Sequence, residues 1–427
     1  MNVISTICVV CEIILILHQF WASIRSKDVS KIWSPISIIS LVYIYYCIIP
    51  FFYTGNEAFA IDENSYNGHL FHLASLLSYA FILLGFSRSK GGTSFTKWNS
   101  VISDTDTKKY GLLLCGIGFV CYSIVHGFNF SIASTGEVIT SNSGYAYYLD
   151  SLIELFPVGI SLLICAWKKD KKQIWVFAVI WLCFVTLVLR GSRGRMIMAL
   201  LPMLVMWYSY PTYKKVKYFI MVLFVVIVYL FFAVMDSART YYGGINLERA
   251  SEISIREASK GAGENYTVYQ YTMMSIDKAD ETGERCYFDP IINAICMPLP
   301  RAVFPWKPDG KYMFAWENKI FGNNSGNALL NFAESYLSFG WLGVILWAWI
   351  LGWLARKFWD NFINNRESIG AILLLGTFNG MCYIIISRGY LAQSFSSFVY
   401  SICLPFWIIT ICERIVGNKT RKSVRYE

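Results

Sequence analysis

The chain has 427 residues, of which 56% are hydrophobic and only 15% are charged. Soluble domains carry roughly 25% charged residues, so this composition cannot cover a water-exposed surface and excludes a soluble globular protein. The formal net charge is +9, but the positive charge lies in short connections and a tail, without interleaved aromatics, which excludes nucleic acid as a partner.

Apolar runs separated by polar, glycine or proline residues recur along the chain, and most are close to the length of a membrane-spanning helix. They lie near 3–24, 32–54, 69–87, 110–128, 147–167, 173–190, 196–211, 218–236, 334–356, 369–387 and 396–413. The pattern predicts an all-α polytopic membrane protein with about 11 transmembrane helices and one large external loop. Helices 1–8 occupy residues 1–236, the loop occupies 237–327, and helices 9–11 with a basic tail occupy 328–427.

Lysine and arginine cluster in alternate connections, from Arg25 and Lys31 near the start to the tail Arg414–Arg425. The positive-inside rule makes the face that carries them cytoplasmic. An odd number of spans then places the N-terminus outside and the C-terminus in the cytoplasm. The loop 237–327 is external, and we expect it to form short helices that lie on the membrane face.

Several arginines lie on the external face, where the positive-inside rule disfavours them. Three belong to the RGSRGR turn before the seventh predicted span. The set is Arg190, Arg193, Arg195, Arg239, Arg301 and Arg388. A guanidinium binds phosphate oxygens through a planar fork of donors, so we interpret the set as a site for an external anion. Pairing with lipid headgroups or with outer carboxylates remains the alternative.

Acidic and aromatic residues near the external face supply further candidates. Asp236, Glu154 and Glu334 could accept a proton, and an acid within the membrane is costly unless it is paired or faces water. Trp306 lies between Pro305 and Lys307, where proline restricts the backbone and would hold the ring in place. His69 and His72 share a helical face but have no evident third ligand, so we expect neither a metal nor another cofactor.

Two segments carry a family resemblance. From Pro298 the chain reads PLPRAVFPWKPDGKY, and it continues after a Gly/Asn-rich turn as NSGNALLNFAESYLSFGWLGVILWAWILGWL. The match from Pro298 to about Trp353, together with the Arg/Gly-rich turn Arg190–Arg195, resembles the bacterial O-antigen polysaccharide polymerases, the Wzy-type oligosaccharide repeat-unit polymerases. Some members have an arginine followed eleven positions later by glycine, and neither Arg190 nor Arg239 has that pattern.

The resemblance implies a GT-C-like glycosyltransferase in the bacterial cytoplasmic (inner) membrane. Such an enzyme polymerises undecaprenyl-diphosphate-linked oligosaccharide repeat units into O-antigen or a related surface polysaccharide at the outer leaflet. It implies a chain-length regulator and a flippase as partners, besides membrane lipids. The arginines would bind the substrate diphosphate.

The resemblance also bears on individual roles. Glu334 lies in the family-like FAESY segment and ranks first as the catalytic base, ahead of Asp236 and Glu154; its alternative is a salt bridge to Arg301 or Arg388. Trp306, Lys307 and Tyr336 are the candidates for sugar binding, although an aromatic belt at the bilayer interface is the commoner use of such rings.

Three other functions remain as alternatives. An O-antigen ligase shares the architecture and passes the glycan to a lipid A core, but ligases usually carry a histidine in the large loop, and 237–327 contains none. A polysaccharide flippase or other transporter would show internal repeats, which are not evident. A non-catalytic assembly protein of the envelope would tolerate loss of single arginines.

Overall fold

The computed structural model describes residues 3–26, 28–53, 68–88, 95–100, 102, 106–126, 144–189, 193–211, 239–240, 244–245, 264–300, 303–308, 316 and 328–423. Within these residues the regular secondary structure is helical, apart from one antiparallel pair of two-residue strands, β1 (Arg239–Thr240) and β2 (Gly244–Ile245). The structure therefore confirms the predicted all-α class.

The α-helices are α1 (Val3–Arg25), α2 (Pro35–Tyr43), α3 (Gly68–Arg88), α4 (Thr96–Asn99), α5 (Thr107–His126), α6 (Gly144–Ser151), α7 (Phe156–Lys169), α8 (Trp175–Leu189), α9 (Arg193–Ser209), α10 (Glu264–Thr282), α11 (Asp289–Cys296), α12 (Asn331–Asn364), α13 (Ile369–Ser387), α14 (Leu391–Phe398) and α15 (Leu404–Ser423). A 3₁₀ turn, Leu152–Leu155, joins α6 to α7. A π-helical turn, Val399–Cys403, joins α14 to α15.

In the described part of the chain, eight helical segments are long and apolar enough to cross a membrane. They are Val3–Arg25, Pro35–Phe52, Gly68–Arg88, Thr107–Val125, Tyr148–Lys169, Asn331–Asn364, Ile369–Ser387 and Leu391–Ile415. Trp175–Val188 and Gly194–Ser209 are shorter apolar helices. Each predicted span coincides with one of these segments except 218–236, which lies outside the described residues. The protein is a multi-pass membrane protein.

Helix α13 lies at the centre of the bundle, and every one of its residues is buried. The Ser368 side chain accepts a hydrogen bond from the Ala371 amide and so caps the helix start. A Cβ on Gly380 would lie only 2.8 Å from the Cα of Met198 in α9. Because little hydrophobic driving force acts between helices in lipid, such close backbone packing is a main source of association.

Helices α3 and α12 form a second close pair. A Cβ on Gly85 would lie 2.3 Å from the backbone oxygen of Trp349, and one on Gly352 would lie 2.1 Å from the oxygen of Ile82. The two glycines face each other's helices, so neither helix can carry a larger residue at the crossing without moving apart. The small residues therefore set the distance between these helices.

Helix α12 is broken at Phe339 and Gly340, where Gly340 has a φ of +62°. A left-handed φ at this point is accessible to glycine at little cost. The break separates a short segment with Asn331, Glu334 and Tyr336 from residues 341–364, which extend about 36 Å at 1.5 Å per residue. Sequence patterning predicted a span at 334–356, and the structure has one at Asn331–Asn364, with Glu334 on the short segment before the break.

Two helices, α10 and α11, lie in the loop 237–327, and α11 packs against α14, the first part of the last span. On α11 the residues Pro290, Asn293 and Ala294 face the protein. The opposite stripe of Phe288, Ile291, Ile292 and Ile295 is exposed, by 41% to 61% of each residue. The α11 helix therefore covers one side of the bundle and presents an apolar face outward.

Candidate functional site

The structure brings two of the predicted site residues into direct contact within the bundle. Glu154 lies in the 3₁₀ turn Leu152–Leu155 and is 8% exposed. Its Oε1 lies 3.4 Å from Nε of Arg195, in the first turn of α9. A buried carboxylate is costly unless it is paired, and the guanidinium is that partner.

Two serine hydroxyls complete the surroundings of Glu154. Ser397 Oγ donates to Oε1 at 3.4 Å, and Ser401 Oγ donates to Oε2 at 3.2 Å. The serines are four residues apart and so lie on one helical face. Ser401 belongs to the π-helical turn Val399–Cys403, and such turns are frequent at functional sites. We call Glu154, Arg195, Ser397 and Ser401 the Glu154 cluster.

Arg195 is placed by the close contact between α9 and α13. A Cβ on Gly194 would lie 2.4 Å from the Cδ1 of Ile384, so glycine lets the start of α9 approach the end of α13. The contact to Glu154 uses Nε of Arg195, and no described residue hydrogen bonds to its two terminal nitrogens. Those nitrogens are therefore available to a second anion, because a guanidinium has five donor hydrogens.

Glu334 has a different kind of partner. It is 4% exposed, and its Oε2 accepts a 2.6 Å hydrogen bond from the amide of Leu391, the first residue of α14. A carboxylate at a helix N-terminus satisfies an amide that has no partner within the helix and interacts favourably with the helix dipole. Glu334 therefore fixes the start of α14, the helix that carries Ser397.

The turn before α14 contains Arg388 and is pressed against the segment before α12. Gly389 has a φ of +50°, and a Cβ there would lie 2.5 Å from the oxygen of Leu329. Only glycine fits this approach without a shift of the backbone. Arg388 itself is partly buried. The turn and Glu334 together hold Arg388 beside the beginning of α14.

Lys307 joins the loop to the helix that precedes the Glu154 cluster. Its Nζ donates to the backbone oxygens of Met297 and Leu299, at 2.7 and 3.1 Å, and to the hydroxyl of Tyr148 in α6 at 3.1 Å. The Tyr148 hydroxyl in turn donates to the Leu299 oxygen at 2.7 Å. Lys307 therefore fastens Met297 and Leu299 to Tyr148 of α6, which lies six residues before Glu154.

The two aromatic candidates for sugar binding differ in exposure. Trp306 is 70% exposed and packs edge-on against Phe304, with ring centroids 5.7 Å apart. Tyr336 is 1% exposed, and its hydroxyl donates to Asp280 at 2.8 Å. The Trp306 ring is open to a ligand, whereas Tyr336 packs within the protein and links α12 to α10. The sugar-binding role of each stays a prediction.

A family model for the O-antigen polysaccharide polymerase Wzy matches residues 2–419 of the chain. The chain belongs to this family. The family is one of membrane polysaccharide polymerases of the glycosyltransferase type, which act on lipid-linked oligosaccharide repeat units. No curated protein and no solved structure matches the chain.

The structure does not describe the side chains of the other predicted site residues of this polymerase. Arg190, Asp236 and Arg301 lie outside the described residues, and so do the side chains of Arg193 and Arg239. The described residues contain no group of three or more His, Cys, Asp or Glu side chains that could hold a metal ion. The roles assigned to the arginines from sequence stay predictions.

Sequence reasoning missed three residues of the candidate site: Ser397, Ser401 and Tyr148. The two serines lie in the predicted span 396–413, where small residues are common in a membrane helix and indicate no function by themselves. Their spacing of four residues is the signal that could have found them, because it places two hydroxyls on one face of an apolar span. Tyr148 has no such signal, since its contact with Lys307 joins residues distant in sequence.

Proposed function

We propose that this polymerase joins undecaprenyl-diphosphate-linked oligosaccharides, and that the Glu154 cluster is its catalytic centre. The pair of Glu154 and Arg195 is the observation that carries the proposal. A carboxylate, which can accept a proton, and a guanidinium, which can bind phosphate, lie in contact inside the membrane bundle, and Arg190 and Arg193 precede that guanidinium in the chain. These are the two groups that transfer from a lipid diphosphate requires.

The reaction follows from the chemistry of the two substrates. A hydroxyl oxygen of the terminal sugar of a new repeat unit attacks the anomeric carbon of the growing glycan. The carbon–oxygen bond to the diphosphate breaks, and the lipid diphosphate leaves with the electron pair. Glu154 accepts the proton of the attacking hydroxyl, and Arg195 stabilises the negative charge that develops on the leaving group.

Arg195 suits this dual position because it contacts Glu154 through Nε. Its terminal nitrogens can bind diphosphate oxygens while Nε keeps the carboxylate oriented. Arg190, Arg193, Arg239, Arg301 and Arg388 are proposed to supply the remaining positive charge. Glu334 is proposed to act as a positioning residue, since its bond to Leu391 fixes the turn that carries Arg388 and the helix that carries Ser397.

The exposed apolar stripe of α11 supports a site at the membrane surface. Three residues of this helix, Ile291, Ile292 and Ile295, and Phe288 just before it expose apolar side chains. The helix packs on α14, at the start of a membrane-spanning segment, and so lies at the depth where that span begins. We propose that this level is the outer leaflet, where the diphosphate of a lipid-linked substrate would lie beside Trp306 and Lys307.

The test is turnover of a defined lipid-linked repeat unit by the purified full-length protein. Glu154→Gln should lower turnover by about 10²- to 10⁴-fold, because a neutral amide cannot accept the proton. Asp360→Asn is the matched control: Asp360 is also 8% exposed and lies 2.7 Å from an arginine Nε, that of Arg356, but it belongs to α12, outside the Glu154 cluster. It should retain turnover.

Arg195→Lys extends the same experiment. Lysine keeps the charge but loses the fork, so we expect turnover to fall on the order of a hundredfold, with a smaller change in KM. Arg356→Lys is its control. Turnover near wild type for Glu154→Gln would refute the catalytic assignment. A ladder of polymer formed without any lipid A core would distinguish polymerisation from ligation.

A further inference from the structure

An apolar groove follows one face of the last membrane-spanning segment. Its cavity volume is about 700 Å³. It is lined by Trp98, Ser100, Val399, Cys403, Leu404, Trp407, Thr410 and Arg414. None of these residues belongs to the Glu154 cluster or to the loop contacts of Lys307.

The groove is a stripe along one helical face. Val399, Cys403, Trp407, Thr410 and Arg414 follow each other at intervals of three or four residues, which is the spacing of one face of a helix. From the first to the last of them the helix rises about 22 Å at 1.5 Å per residue, most of the hydrocarbon thickness of a bilayer. The groove is therefore long enough for a lipid chain.

The two ends of the groove differ in polarity. Arg414 and Ser100 are exposed at the end that carries the basic tail, and among the described residues Arg414 makes no ion pair. The opposite end is formed by Val399 and Cys403 and is apolar. Trp98 stacks on Phe406, with centroids 5.3 Å apart, and forms one wall of the groove. The site thus matches an amphiphile whose anionic head lies at Arg414.

We propose that this groove binds an anionic phospholipid, with one acyl chain along Val399–Trp407 and the phosphate at Arg414. The polarity of the groove distinguishes this ligand from the lipid-linked substrate. A lipid-linked substrate with its diphosphate at the Glu154 cluster would enter the groove at the apolar end. Its hydrocarbon tail carries no polar group that Arg414 or Ser100 could bind.

The groove also adjoins the candidate catalytic centre. Val399 and Cys403 begin and end the π-helical turn that contains Ser401, whose hydroxyl donates to Glu154. A bound acyl chain packs against the outer side of this turn. The lipid therefore stabilises the helical turn that orients two of the groups around Glu154, and it binds whether or not Glu154 is catalytic.

The test is lipid binding to the delipidated full-length protein, followed by native mass spectrometry. The lipid concentration needed for binding should be about tenfold lower for phosphatidylglycerol than for phosphatidylcholine. The phosphate–guanidinium contact is charge-assisted, and the glycerol headgroup leaves the net charge of the lipid negative. Arg414→Gln should remove most of that preference. Cys403→Trp should weaken binding of both lipids by filling the path of the chain.

Matched controls lie on α1, where Arg25 stacks on the exposed Trp21 outside the lining of this groove. Arg25→Gln and Trp21→Ala should leave binding unchanged. A photoreactive acyl chain should label the peptide around Trp407. Unchanged preference in Arg414→Gln, or equal retention of both phospholipids, would overturn the proposal. So would displacement of phosphatidylglycerol by a polyprenyl diphosphate, which would assign the groove to the substrate tail.

Discussion

Glu154 and Glu334 are both buried carboxylates near α14, but they contact different kinds of group. Glu154 is surrounded by a guanidinium and two hydroxyls at 3.2 to 3.4 Å, contacts that can loosen when a substrate arrives. Glu334 holds a backbone amide at 2.6 Å. A hydrogen bond to a helix N-terminus stabilises structure, and we propose that the carboxylate beside the arginine is the one that accepts the proton of the substrate.

Substitutions at Glu334 separate a positioning role from a catalytic one. Glutamine keeps a carbonyl oxygen that can accept from Leu391, so Glu334→Gln should retain most thermal stability and lower turnover by less than about tenfold. Alanine leaves the amide without its acceptor, and Glu334→Ala should lose about 1–3 kcal/mol of stability. Melting curves and turnover are measured on both. Complete inactivity of a stable Glu334→Gln protein would make Glu334 the base.

Cys286 provides a pH-dependent probe at the junction of the loop and α12. Burial raises the pKa of its thiol to about 11, against a smaller opposing effect of the hydrogen bond with Ser338. The thiol is therefore neutral at pH 7, and its thiolate fraction should rise about tenfold per pH unit up to that pKa. Maleimide labelling between pH 7 and 9 measures this. A rate that levels off near pH 9 would contradict the environment described for Cys286.

At the scale of elements, the distance between packed helices depends on small residues as much as on apolar ones. Gly352→Ala should disrupt the contact between α3 and α12, because the new Cβ would lie 2.1 Å from the backbone oxygen of Ile82. Overpacking of this kind costs about 1–3 kcal/mol or more. The yield of monodisperse protein and its melting temperature report the effect.

Gly116→Ala in α5 is the control for that substitution, since no atom lies within 4 Å of the Cβ position. It replaces the same residue type in another apolar helix and should be neutral or slightly stabilising, because alanine favours helix. Equal stability of the two variants would show that α3 and α12 can separate without cost.

The break in α12 at Phe339–Gly340 is a second effect of a single glycine on an element. It turns the chain and separates Glu334 from the rest of the span.

At the scale of the whole molecule, the orientation in the membrane remains a prediction from charge. A cysteine at Glu281, which has a 62% exposed side chain in the loop 237–327, should react with an impermeant thiol reagent added to intact cells. A cysteine at the exposed Asp170, among Lys168, Lys169, Lys171 and Lys172, should react only after permeabilisation. Labelling of Asp170→Cys in intact cells would reverse the topology.

Sequence by itself determined the membrane class, the position of nearly every described span and the family. Hydrophobicity over about 20 residues is a local property, so runs such as 369–387 could be placed without knowledge of their neighbours. The segment from Pro298 to Trp353 is likewise local and carried the resemblance that the family match over residues 2–419 confirmed. Glu154 was identified as an acid that a membrane interior tolerates only with a partner or a function. Arg195 was identified as an arginine on the external face, and Glu334 from the family-like FAESY segment.

Only the tertiary structure decided which partner each of them has. The contacts of Glu154 join residues 41, 243 and 247 positions away in the chain, and no local pattern encodes such pairings. Glu334 ranked first as a base from its motif, yet its bond to Leu391 depends on the break in α12 and the turn at Gly389. Partners of buried polar groups are chosen by how helices pack, because each donor or acceptor must be satisfied within the fold.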